Sequence, residues 1–540
     1  MRKTKAVASA PSFADFPKNL STYMGGKGYT IPKTQLTDEQ IARVKQALTV
    51  KPTAAMPGIS QTTTFPAYRE SKLKLYVPRY FGLEHFGSPK ETKLPEGDDI
   101  ALQFNGQLRD YQTEVVRAYQ TATLEHGLSG GLVNLPCGYG KTTVALNIVS
   151  VMRKKTLIIV HKEFLLNQWI ERINQYLPGA RVGRIQGQQI DIADKDIVIG
   201  MLQSLSMKDY EQDMFQSFGM VLIDEVHHIG SEVFSNALFK IVPKYTLGLS
   251  ATMDRKDGTT FVFKMFLGDI VYRITEKKQR NVLVRAVQYR SNDPVFNAVE
   301  YDFRGNPAFS TMISKLCDNI PRTEFIIRII KDMIDVEPDQ QLMVIAHNRN
   351  VLTYIHDAVR DRGIATVGYY VGGMKEKVLK ANEAKQVIIA TYAMAAEGLD
   401  ISTLCRMIMA TPRTDIEQTV GRILRSNHEQ PVVVDIVDSH EPFQKQFVKR
   451  RQFYKRENYD IVKTVSTQYQ GEATMWELVY KAKVKGTTKK EEKEDEEEEE
   501  EDEAPVRQCL FGASTFAQFV DKDFVDKDFV EDQEFVDKEF

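Results

Sequence analysis

The sequence of 540 residues predicts an α/β protein with two tandem domains on parallel sheets, an N-terminal accessory region and an acidic C-terminal tail. Three observations carry that expectation. Short apolar runs of strand length alternate with amphipathic helical spacings through most of the chain, which is the pattern of parallel strands joined by covering helices. A Gly-Lys-Thr loop stands between the first such strand and helix. The charge is also uneven. Residues 491–540 hold 21 Asp and Glu against 5 Lys and Arg, so the first 490 residues carry +14 within a total of −2. A basic body attracts polyanions, nucleic acid first among them, although ordinary surface lysines beside one acidic tail would give the same count.

Residues 1–105 carry no nucleotide chemistry. They open on a polar stretch rich in Ser, Pro and Gly, expected to be mobile. Thr37-Asp38-Glu39-Gln40 reads as a capping box, with Ile41, Val44 and Leu48 following at helical spacing. Leu73 to Phe81 reads as a strand whose aromatics beside Lys74 and Arg79 could stack on bases or grip phosphates, or could simply be core with a charged outer face. At Leu108-Arg109-Asp110-Tyr111-Gln112 a polar turn starts a helix through Val115, Val116 and Tyr119. The Gln112 amide can donate to and accept from an adenine edge, and can equally be a surface group at a helix start.

Residues 106–280 form the first predicted α/β domain. Leu132-Val133-Asn134-Leu135 has buried-strand length, and Ala145, Ile148, Val149 and Met152 recur on one helix face. Between them Pro136-Cys137-Gly138-Tyr139-Gly140-Lys141-Thr142-Thr143 has the composition of a phosphate loop for a nucleoside triphosphate. Gly138 and Gly140 permit the tight turn that aims N–H groups at phosphates, Lys141 reaches the β and γ phosphates, and the Thr142 hydroxyl can ligate Mg²⁺. Leu135 occupies the first glycine position of the general pattern. Thr156 to His161 and Asp196 to Gly200 are further strands, the latter followed by Met201-Leu202-Gln203-Ser204, and polar groups beyond such tips face the ligand edge of a parallel sheet. Met220 to Ile223 is a buried strand delivering Asp224, placed to hold Mg²⁺ through water, and Glu225, a general base for the water that attacks the γ-phosphate. Gly248-Leu249-Ser250-Ala251-Thr252 ends another strand in hydroxyls that could relay nucleotide state or merely cap a turn.

The phosphate loop, the Asp-Glu-x-His of Asp224 to His227 and Ser250-Ala251-Thr252, in this order and spacing, resemble the first motor domain of superfamily 2 helicases and translocases. A loop lacking the first glycine is usual in that family. The resemblance implies RecA-like domains, adenine reading by Gln112, a nucleotide-contacting Thr143, and coupling of hydrolysis to domain movement by His227, Ser250 and Thr252. Residues 281–470 supply the expected second domain. Gln341 to His347 and Val387 to Thr391 are strands, the latter leading to Ala396-Glu397-Gly398-Leu399-Asp400, where Gly398 and Asp400 are implied to border the nucleotide. Gln418, Gly421, Arg422 and Arg425 would share one face of a helix, so that two guanidiniums could reach the γ-phosphate. This segment resembles the sixth motif of the family, with Thr419 in place of a common arginine. His161, Gln203, Ser204, Arg255, His347, Asn348 and Thr391 are placed by family pattern as nucleic-acid contacts. Residues 248–258 are similar to the XPB group, and the layout as a whole resembles the XPB-related helicases of large DNA viruses, including the poxvirus transcript-release type. Where that group has Arg-Glu-Asp, this chain has Arg255-Lys256-Asp257.

Residues 471–540 comprise a charged linker, an acidic run expected to be disordered, and Phe-Val pairs that suit either docking to protein partners or inert low complexity. Cys137, Cys317, Cys405 and Cys509 lie too far apart for a disulfide framework or a cysteine zinc site, which fits an intracellular compartment. No apolar stretch approaches ~20 residues and the basic start lacks a signal-peptide core, so neither a membrane span nor secretion is expected. The function expected is an ATP- and Mg²⁺-dependent helicase or translocase on DNA, in nucleus, cytoplasm or a viral factory. RNA is the alternative substrate, and a scaffold on a motor fold the alternative class.

Overall fold

The structure, a computed structural model, describes residues 13–17, 19–52, 64–125, 129–136, 138–211, 213–228, 231–253, 258–274, 281–399, 401–424 and 428–483. Cys137, Arg255, Asp400, Arg425, the acidic run and the Phe-Val pairs lie outside the described residues.

Two sheets of eight strands dominate the fold. In the first, the spatial order is Gln189–Ile190, Val182–Gln186, Ile197–Met201, Thr156–Val160, Met220–Ile223, Tyr245–Ser250, Gly130–Asn134 and Ile270–Arg273. All neighbours are parallel except the short Gln189–Ile190 edge. The central strands are apolar on both faces because helices cover both, which is why they read as continuous rather than alternating runs. Val144, Ile148, Leu166 and Trp169, from Lys141–Met152 and Glu163–Tyr176, pack on one face; Leu202, Leu205, Phe234 and Phe263 pack on the other. The phosphate-loop strand pairs with Tyr245–Ser250, whose other neighbour is Met220–Ile223. Three carboxyl tips are thereby aligned.

The second sheet has the order Val367–Tyr370, Val387–Thr391, Gln341–Ala346, Leu404–Met409, Val432–Asp438, Leu283–Tyr289, Asp460–Val465 and Glu477–Tyr480, parallel except at the last pair. That final strand carries the sheet past residue 470, where the second domain was expected to end. Two fully buried ion pairs pin covering helices to the strand Val432–Asp438. Arg322 binds Asp438 at 2.6 and 2.8 Å, and Arg450 binds Asp435 at 2.8 and 2.9 Å.

The accessory region is a five-stranded sheet with its own apolar cluster around Tyr29, Ile31, Val44, Leu75 and Val77. Thr37 and Gln40 form the expected capping box, at 3.2 and 3.0 Å, and start the helix Asp38–Ala47. The segment Leu73 to Phe81, read as one strand, is a strand only over Lys74–Val77. Pro78 has no N–H to continue the ladder, and the chain turns into the helix Arg79–Phe86. Arg79 is then buried in the seam with the first sheet, donating to the carbonyl of Lys244 at 2.8 Å and to that of Pro243.

Candidate nucleotide and nucleic-acid site

The phosphate loop is shaped by its glycines and tied down from the preceding helix. Gly138 and Gly140 have φ of 78° and 71°, a region that L side chains rarely adopt. A Cβ on Gly140 would also lie 2.5 Å from the Gln112 amide nitrogen. That amide is buried and engaged at both ends. Its oxygen accepts from the Arg109 N–H at 2.9 Å, and its nitrogen donates to the Tyr139 carbonyl at 3.1 Å. Tyr111 adds a hydroxyl bond to the same carbonyl at 3.2 Å. Gln112 therefore braces the loop from the helix Asp110–Gln120, an arrangement that no local feature of the sequence announces. Lys141, Thr142 and Thr143 form the first turn of Lys141–Met152, at the positive end of the helix.

Lys141 Nζ lies 2.8 Å from Glu225 Oε1, so the loop and the tip of Met220–Ile223 meet. Glu225 has φ 46°, an uncommon conformation for a residue with a side chain, and its N–H donates to Asp224 Oδ1 at 2.9 Å. Asp224 is buried, and Oδ2 accepts from the Trp169 indole at 2.9 Å. Burial, and then the neighbouring Glu225 charge, push the Asp224 carboxyl up to about 6, against the pull of Lys141 and the indole. Two crowded carboxylates, one of them buried, make a donor set that a divalent cation would relieve. The residues present thus fit Mg²⁺. Trp169 was not singled out in the sequence, where an apolar helix position gave no sign of its polar end.

Beyond Glu225 the polar contacts continue into the second domain. His227 Nδ1 lies 3.5 Å from Glu225 Oε2 and 2.7 Å from Ser250 Oγ, and Ser250 Oγ donates to the Thr252 carbonyl. His227 Nε2 is 2.9 Å from Gln418 Nε2, across the boundary between the sheets. The helix expected through Gln418 and Arg425 is broken: Glu417–Val420 is α-helical and Gly421–Leu424 is 3-10. Gly421 is a weak helix former at the switch, and Arg422 donates to the Leu399 carbonyl at 3.0 Å and to that of Ala396. Arg422 thereby binds the segment Met394–Gly398, in which Gly398 lies.

The residues placed as strand contacts gather at sheet edges. Gln203 donates to the His161 carbonyl at 3.1 Å, and Ser204 Oγ accepts from Gly187 N at 2.9 Å. In the second domain His347 and Asn348 follow Gln341–Ala346, whose last residue is in register with Thr391. Asn348 donates to Ser314 Oγ at 3.3 Å. The His347 ring turns inward, with Nδ1 2.8 Å from Thr411 Oγ1 and its centre 4.7 Å from that of Tyr392. Burial, aided by Arg413, lowers it to about 3 and keeps it neutral.

The chain is similar to known proteins over much of its length. Residues 105–255 match the family described as "Type III restriction enzyme, res subunit". A protein of Acanthamoeba polyphaga mimivirus described as an ATP-dependent RNA helicase is 33% identical over 457 residues, covering 82% of this chain and 87% of its own. A protein of African swine fever virus described as an ATP-dependent RNA helicase is 26% identical over 493 residues, covering 83% and 94%. A DNA 3'-5' translocase of Sulfurisphaera tokodaii is 35% identical over 225 residues, covering 41% and 48%.

Proposed function

The chain belongs to the superfamily 2 helicases and translocases, ATP-hydrolysing enzymes that act on nucleic acid, and on that premise we propose a DNA-stimulated motor whose two α/β domains close on ATP. Lys141 and the N–H groups of the loop hold the phosphates, and Thr142 and Asp224 hold Mg²⁺. The metal, when bound, offsets the charge of the β and γ phosphates. Glu225 accepts the proton of the water whose oxygen attacks the γ-phosphorus, and the bond to the β-γ bridging oxygen breaks. Gln418, Arg422 and Arg425 are assigned to complete the site on closure, a role for which Arg422 would exchange its bonds to the Leu399 and Ala396 carbonyls for the charge that develops in the transition state. His161, Gln203, Ser204, Asn348 and Thr391 are assigned to the strand path, and Arg255 and His347 are assigned to it on the family pattern alone.

The observation that most supports this reading is the unbroken series Lys141, Glu225, His227 and Gln418, which begins in the phosphate loop and ends in the second domain. The basic charge of residues 1–490 favours a polyanion partner. The archaeal relative is described as a DNA translocase, which favours DNA; the two viral relatives are described as RNA helicases, which supports transcript release as a second reading. The acidic tail, with its Phe-Val pairs, suits recruitment of protein partners. The deciding experiment compares ATPase rates with duplex DNA, single-stranded DNA and RNA at two salt concentrations. Stimulation by either DNA above that by RNA supports the first reading. Stimulation by RNA alone selects the second.

A further inference from the structure

The connection from the strand Leu283–Tyr289 to the helix Phe309–Asp318 exposes three large apolar side chains: Val295 at 70%, Tyr301 at 61% and Phe303 at 91%. Scattered apolar side chains on a surface are ordinary, but a nearly fully exposed aromatic at the tip of a braced turn is not. Phe303 sits at the tip of a tightly closed turn. Tyr301 pairs with Pro307, Asp302 N donates to the Asn306 carbonyl at 2.7 Å, and Gly305 N donates to the Asp302 carbonyl at 3.0 Å. Asp302 Oδ1 accepts from the N–H groups of Arg304 and Asn306 at 2.8 and 2.9 Å, and Gly305 takes φ 78° to close the loop. The base is fastened by Ala308 N to the Glu300 carbonyl at 2.8 Å and by Lys315 to the Glu300 carboxylate at 2.8 Å. The Arg304 guanidinium carbon lies 4.9 Å from the centre of the Phe303 ring.

The position of this turn suggests its ligand. Leu283–Tyr289 lies in the same sheet as, and runs in the same direction as, Gln341–Ala346 and Val387–Thr391, so the connection leaves from the edge that carries His347, Asn348 and Thr391. The helix that follows the turn holds Ser314, the partner of Asn348. An exposed aromatic face with a guanidinium beside it is the chemistry that takes an unpaired nucleobase.

We propose that residues 301–307 form a base-stacking pin, in which Phe303, flanked by Arg304, receives an unpaired base of the strand running along this edge. The proposal rests on the reading that nucleic acid crosses the carboxyl edges of the sheets. The test uses the full chain with a non-hydrolysable ATP analogue and measures binding of labelled oligo-dT, oligo-U and an abasic strand of equal length at two salt concentrations. Phe303→Ala should weaken oligo-dT or oligo-U roughly tenfold while leaving abasic binding and the salt dependence unchanged, because stacking neutralises no phosphate. Phe303→Trp should restore the affinity. The oligonucleotide that responds tells whether DNA or RNA is held. Unchanged binding of every strand by Phe303→Ala would overturn the pin and leave a protein-docking tip, and equal losses on abasic and normal strands would overturn it as a fold effect. Wild-type protein that bound no strand would refute the nucleic-acid reading itself.

Discussion

Trp169→Phe isolates the polar end of a side chain that otherwise looks like core. The substitution keeps an aromatic ring among Leu166, Ile173 and Leu222 but removes the indole donor 2.9 Å from Asp224 Oδ2. A hydrogen bond to a charged group is worth roughly 1.5–3 kcal/mol, and the smaller ring adds a packing loss, so unfolding should become about 2–4 kcal/mol easier in urea. The more telling effect is on the Mg²⁺ that Asp224 is proposed to hold. Asp224 is already disfavoured as an anion by burial and by Glu225, and without the indole it is both less stable as a carboxylate and less well oriented. Loss of a group that orients a metal ligand typically costs 10–100-fold in metal affinity. The Mg²⁺ concentration for half-maximal ATPase should therefore rise at least roughly tenfold, with the maximal rate partly recovered at high Mg²⁺. A Trp169→Phe enzyme with wild-type Mg²⁺ dependence would show that the indole bond has no part in the metal site.

Glu225→Gln should lower ATP turnover by roughly 10²–10⁴-fold while nucleotide and nucleic-acid binding persist, and single-turnover hydrolysis checks this directly. His347 should make the protein acid-sensitive: its pKa is about 3 when folded and 6.5 when unfolded, so the unfolded chain binds the extra proton and stability falls as pH drops below 6.5. The loss between pH 7 and pH 5 should be about 2 kcal/mol, and urea midpoints should show it shrinking in His347→Asn. Deleting residues 491–540 should leave nucleic-acid-stimulated ATPase within about twofold, since the acidic run and Phe-Val pairs carry none of the proposed nucleotide contacts.

Much of this architecture could be read from the chain because it rests on short-range rules. Buried parallel strands appear as apolar runs such as Leu157 to Val160 and Met220 to Ile223, and a Gly-Lys-Thr loop between a strand and a helix has few other uses. What escaped the reading depends on partners distant in sequence. The two faces of the Gln112 amide are claimed by Arg109 and by Tyr139, the latter 27 residues away, and the Trp169 indole finds Asp224 55 residues on. The break at Gly421 accompanies side-chain bonds from Arg422 to the carbonyls of Ala396 and Leu399, distant partners that no local periodicity records. Leu73 to Phe81 misled for the opposite reason: its alternation is genuine, but one proline overrides it.

The pairing of Lys141 with Glu225 suggests how nucleotide binding and domain closure are tied together. On the proposed roles the same carboxylate must release the lysine before it can accept a proton from water. The pair is largely shielded from solvent, where the attraction of an ion pair at about 4 Å is on the order of 4 kcal/mol at an effective dielectric of 20, so a replacement anion favours its opening. The γ-phosphate is that replacement: it offers Lys141 a second negative partner, and the exchange of one anion for another is nearly balanced. Glu225 is then left with its other neighbour, His227, at 3.5 Å, and a carboxylate no longer shared with the lysine draws the imidazole more strongly. His227 is bonded in turn to Ser250 and lies against Gln418, so a shift of that ring is felt both at the strand tip carrying Ser250 and at the first turn of the broken helix in the second domain. The swap at one lysine thus supplies a physical reason for the domains to respond to triphosphate rather than to diphosphate, which lacks the oxygens needed to free Glu225.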